Sequence, residues 1–140
     1  MMNIFVYLLA IFMTVMSCKN SNNSKSYKQT VEDNGKKIYL RYCYACHQTD
    51  GSGVPGMYPP IRNSEVVNGD KSRLVTIITR GMTGEIEVNG IKYNNAMPRQ
   101  NFLTDTEVAD VLTYIRSNFE NSASAVTIYD VEKARAENEQ

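Results

Sequence analysis

Cys43-Tyr44-Ala45-Cys46-His47 constrains this chain more than any other stretch. Two cysteines three positions apart, followed at once by histidine, form the pattern for covalent haem attachment. On one helical turn, two thiols can add to the two vinyl groups along one edge of a haem. The next residue then faces the iron and offers an imidazole nitrogen as proximal ligand. Other chemistries use these residues poorly. A structural zinc site takes four protein ligands and a catalytic one three. His47 is the only histidine and the third cysteine, Cys18, lies far upstream, so zinc would have to recruit carboxylates. A thioredoxin-type dithiol belongs in a βαβ setting, and none is visible here. One haem c held by Cys43 and Cys46 with His47 on the iron is the leading reading; zinc and a redox dithiol are its rivals.

At 140 residues the chain has room for one compact domain plus tails. Its formal net charge is zero, which argues against nucleic acid, a partner that demands a basic face. There is no Trp, so nine Tyr supply most of the aromatic packing. A covalent haem would add apolar core that so small a domain otherwise struggles to bury.

Ile4 to Met16 is an apolar run broken only by Thr14, short for a membrane span and suited to the core of a signal peptide. It ends at Val15-Met16-Ser17-Cys18, which resembles a bacterial lipobox with Cys18 as the lipidated residue; a simple secretory signal or an uncleaved anchor are the alternatives. Residues 1–17 are thus expected to be a lipoprotein signal peptide and 18–29 a flexible tether without aliphatic side chains. The domain is expected over 30–120 and a C-terminal extension over 121–140. All of these readings place the domain outside the cytoplasm, and the lipobox reading holds it at the membrane by the lipid.

Within the domain, Thr30 is expected to cap a first helix running through Gly35 and Tyr39 into the haem motif. Gly35 is a costly residue inside a helix, and close approach of another helix would explain it. The glycines and prolines between Thr49 and Pro60 predict a loop. A short helix follows over Ser64–Val67, then a longer one capped by Asp70 and ended by Gly81. Glu85 to Tyr93 alternates about Asn89-Gly90, a β-hairpin whose Glu85 and Glu87 make a solvated face in preference to an acid/base pair. Thr104-Asp-Thr-Glu107 is a capping box opening a helix with Val108, Val111, Leu112 and Ile115 inward. Thr127 to Gln140 is expected to hold one more short helix, peripheral to the core.

Taken together, these residues resemble a class I cytochrome c, a monohaem electron carrier. The resemblance covers about Thr30 to Phe119. It rests on the Gly35/Tyr39 helix, Cys43-x-x-Cys46-His47, Gly51-Ser-Gly53, Pro59-Pro60-Ile61, Ala96-Met97-Pro98 and Val111-Leu-Thr-Tyr114. It implies an all-α fold around one covalently bound haem, with a small β-hairpin inserted before the methionine loop. The first and last helices of the domain should then cross near Gly35, Tyr39, Val111 and Tyr114. The hairpin and the tail resemble, more narrowly, cytochrome domains associated with terminal oxidases or copper nitrite reductases.

With a single histidine, bis-histidine ligation within the chain is excluded. Met57, Met82 and Met97 are the methionines inside the domain. Met97, fifty residues past His47 in a Pro-stiffened loop, matches the family's ligand position; Met82 is the runner-up. The resemblance also implies that the Pro59 carbonyl (or Pro60's, one residue on) accepts the other N–H of His47, and that Ile61 packs on the haem. The expected function is outer-sphere, one-electron transfer in a respiratory chain. Expected partners are a quinol-oxidising complex, a terminal oxidase or a nitrite reductase, besides the membrane through the lipid anchor. A haem peroxidase or gas-ligand sensor with a displaceable sixth ligand is the alternative from the enzyme class.

Overall fold

In the computed structural model, residues 21–138 are described. The expected signal peptide, residues 1–17, and Cys18 lie outside them. By contact the chain divides into Met1–Thr30 and Val31–Gln140. Helix α1 spans Ser21–Tyr42. It therefore begins well before Thr30, where the sequence suggested an N-cap. The Thr30 hydroxyl caps nothing and donates instead to the Ser26 carbonyl at 3.0 Å, the back-bonding that serine and threonine adopt inside helices. Residues 24–29, expected to form part of a tether, are helical with exposed side chains. That stretch gains backbone hydrogen bonds by propagation and no burial. Among the described residues no helix is long and apolar enough to cross a membrane.

In the second unit, α1 packs against α5, Asp105–Ser117. Gly35 permits this: a Cβ there would stand 2.3 Å from the Asp110 carbonyl oxygen and 2.6 Å from Tyr114 Cβ. The Tyr39 ring lies 5.8 Å from that of Tyr114 and 4.9 Å from that of Phe119, both tilted. Helix α2 is the single turn Tyr44–His47. Helix α3, Glu65–Asn68, is capped by Ser64, which the sequence reading placed inside it. Helix α4, Lys71–Arg80, has Asp70 as N-cap, accepting from the Arg73 N–H at 2.8 Å, and Gly81 at its end.

Strands β1, Ile86–Val88, and β2, Ile91–Tyr93, pair antiparallel with Ile86 opposite Tyr93 and Glu87 opposite Lys92. Asn89 and Gly90 both have positive φ, 52° and 76°, as a type I′ turn requires. Glu85 is exposed and pairs with Lys92 at 2.7 Å, an ordinary solvated ion pair. The Thr104–Glu107 capping box on α5 is complete in both directions.

The C-terminal helix α6, Ile128–Asn138, is not peripheral. It packs on α4 and α5, and Val126, Val131 and Ala134 are buried in the same cluster as Val75, Val111 and Leu112. Polar ties reinforce it: Lys71 to Asp130 at 2.9 Å and Arg135 to Asp105 at 2.7 Å. Its apolar positions are few, so periodicity alone could not show which face it buries.

Candidate haem site

The site is a cleft enclosing about 1170 Å³ of empty space, part of it open to solvent. Cys43, Cys46 and His47 face it from one side, and Met82 and Met97 line it too. Leu74, Ile77 and Ile78 of α4 supply an apolar wall, and Val111, Leu112 and Ile115 of α5 continue it. Ile86 and Val88 bring the hairpin against the same space. Among the described residues, Arg73 and Glu87 are the only charged side chains along the lining, and both are exposed. The interior is therefore a low-dielectric surface broken by two thiols, one imidazole and thioethers, a donor set that fits a covalently held haem.

Local geometry presents those donors. The Cys43 and His47 N–H groups donate to the carbonyls of Tyr39 (2.9 Å) and Cys43 (3.0 Å), so the motif is wound as one continuous turn. Both cysteines are free thiols, half-buried. Burial, with Cys46 beside it, pushes the Cys43 thiol up to about 12. It is a neutral thiol, as addition across a vinyl group starts from.

His47 Nδ1 lies 3.0 Å from the carbonyl oxygen of Pro59. A carbonyl only accepts, so Nδ1 carries the proton and Nε2 keeps its lone pair for a metal. Burial lowers the histidine's pKa, partly offset by this hydrogen bond, which favours the neutral ring that ligation needs. Pro60 and Ile61 also line the cleft, Ile61 half-buried against the core.

Of the three methionines weighed, Met57 is 48% exposed and away from the cleft. Met82 and Met97 form an antiparallel bridge, each N–H donating to the other's carbonyl at 3.0 and 2.8 Å. The two are directly opposite, so their side chains leave the same side of the ladder. Sequence reasoning did not foresee this pairing: the residues are fifteen apart with the hairpin between them. It also missed Asn121, whose buried side-chain amide donates to the carbonyls of Ile61 (2.9 Å) and Ile115 (3.0 Å) and so ties the proximal loop to the end of α5. An asparagine in a polar run gives no periodic signal that could reveal such a clamp.

Residues 32–119 match the family model for cytochrome c. Cytochrome c-552 of Thermus thermophilus is 35% identical over 111 residues, covering 73% of this chain and 84% of that protein. The cytochrome c subunit of alcohol dehydrogenase (quinone) of Gluconobacter oxydans is 35% identical over 105 residues, 72% of this chain and 22% of that subunit. The gluconate 2-dehydrogenase cytochrome c subunit of Pantoea cypripedii is similar to the same extent, with 24% of its length covered. The chain thus spans about a quarter or less of those two subunits, and most of the c-552. The motif, the cleft and the family match agree: the chain belongs to the cytochrome c family, as a class I monohaem electron carrier with covalently bound haem c.

Proposed function

We propose that Cys43 and Cys46 hold the haem through thioether bonds, that His47 and Met97 are its axial ligands, and that the carrier works outside the cytoplasm. The observation that carries this reading is the hydrogen bond from His47 Nδ1 to the Pro59 carbonyl at 3.0 Å, in a cleft that Met97 also lines. When bound, the haem supplies a one-electron iron couple whose ferrous form a thioether ligand favours. Pro59 would hold the imidazole in one tautomer and orientation, and Ile61 would pack against the haem. Met97 would complete the iron's coordination and so leave oxygen or peroxide no place to bind. The walls from α4 and α5 give the cleft a low-dielectric lining.

Cys18, lipidated, would anchor the protein, with residues 18–29 as the spacer between lipid and domain. Its redox partners are oxidoreductases of a respiratory chain, such as a quinol-oxidising complex, a terminal oxidase or a nitrite reductase. The likeness to cytochrome c subunits of dehydrogenases supports exchange with an oxidoreductase of some kind.

Absorption spectra of the oxidised and dithionite-reduced protein test the ligand assignment. A low-spin c-type spectrum with the sulfur-to-iron charge-transfer band, lost in Met97→Ala and kept in Met82→Ala, is expected. A high-spin spectrum that shifts when carbon monoxide or cyanide meets the native protein would mean an open site and refute the closed carrier. For the anchor, Cys18→Ala is expected to move the protein from the membrane to the soluble extracytoplasmic fraction; unchanged membrane retention would refute lipidation at Cys18.

A further inference from the structure

We propose that Gly81 is a positioning residue for Met97: its missing side chain lets the methionine loop close onto the end of α4. The inference rests on the reading of Met97 as the sixth ligand. Gly81 ends α4, donating its N–H to the Ile77 carbonyl at 2.9 Å, with φ 74° and ψ −172°. That combination is essentially restricted to glycine. A Cβ at this position would stand 2.4 Å from the Met97 carbonyl oxygen, 2.8 Å from Arg99 N and 3.1 Å from Pro98 C. All three are backbone atoms, which cannot swing aside as the tip of a long side chain can.

The same segment is stitched to α4 on both sides of the contact. Met97 and Met82 exchange their two backbone hydrogen bonds, and the Gln100 N–H donates to the Ile78 carbonyl at 2.8 Å. Residues 97–100 therefore take their position from the end of a helix whose Leu74, Ile77 and Ile78 form the cleft wall. A side chain at Gly81 is accommodated only by moving the backbone of residues 97–99 away from α4, and Met97 moves with it. Gly84 is an internal control. It lies in the same insertion with φ 94°, but nothing is within 4 Å of where its Cβ would be. Alanine there carries the backbone strain without touching the methionine loop.

The experiment compares the full haem-loaded chain with Gly81→Ala, Gly84→Ala and Met97→Ala. Three quantities are read: the sulfur-to-iron charge-transfer band, cyanide affinity of the oxidised protein, and the unfolding midpoint. Gly81→Ala is expected to lose most of the band and to bind cyanide at least about tenfold more tightly, or ~1.4 kcal/mol. Gly84→Ala is expected to keep the band and the native cyanide affinity. A Gly81→Ala protein with the full band, native cyanide affinity and only a lower unfolding midpoint would overturn the inference and leave Gly81 a helix cap. If Gly81→Ala is too unstable to purify folded, the same readings are taken at low temperature in sucrose, an osmolyte that favours the folded state. Band loss there supports the inference, and a retained band overturns it. Persistence of the band in Met97→Ala would instead sink the ligand assignment itself, an outcome separable from any result at Gly81.

Discussion

The hydroxyl of Tyr39 donates to the carbonyl oxygen of Gln48 at 2.5 Å, bridging the haem motif from one helical turn before it to the residue after it. Tyr39 is fully buried, and burial, with Cys43 next in effect, drives its phenol far above the ordinary range. It remains a donor at any working pH. Gln48 follows His47 directly and has φ 64°, a positive value uncommon for a residue other than glycine. Tyr39→Phe keeps the ring contacts with Tyr114 and Phe119 and removes only this bond. It is expected to lower stability by about 1 kcal/mol in denaturant unfolding, with no change in the axial ligand spectrum.

On the proximal side, Gly53 stands against Pro59. A Cβ on it would lie 2.3 Å from the Tyr58 carbonyl oxygen and 2.6 Å from that of Pro59, the acceptor for His47. Gly53→Ala is expected to cost about 1–3 kcal/mol and to weaken the His47 hydrogen bond. A less basic imidazole stabilises the ferric state less, so the midpoint potential should rise. Protein-film voltammetry checks the sign.

Asp130 accepts from the Thr127 N–H, the Thr127 hydroxyl and Lys71 Nζ, at 2.8, 2.9 and 2.9 Å. The Thr127 amide, then Lys71, holds its carboxyl down to about 2, from an ordinary value of 3.8. A folded-state pKa below the unfolded one contributes stability above about pH 4, and that stability fades as pH falls toward 2. Asp130→Asn should therefore be less stable than the parent at pH 6, with the difference shrinking between pH 4 and pH 2. Urea titrations across that window read it directly, and a constant difference would refute the assignment.

Val131 has no exposed surface and sits where α6 meets α4 and α5. Val131→Ala is expected to destabilise the domain by about 2 kcal/mol, measured by thermal unfolding followed at the haem absorption. A transition at the haem that does not move would mean that α6 unfolds independently of the cleft.

The sequence by itself determined the chemistry. Cys43, Cys46 and His47 are adjacent along the chain, so one helical turn assembles them without any tertiary contact. The same locality made the Asp70 cap, the Thr104–Glu107 box and the Asn89-Gly90 hairpin legible, because each is closed within a few residues. Tertiary structure decided what distant residues share. It set Met97 opposite Met82 across the hairpin neck and seated Gly81 under the Met97 backbone. It also buried Val131 in the core. None of these carries a local signature. A close approach or a buried face is a property of two segments, and it becomes visible only when packing brings them together.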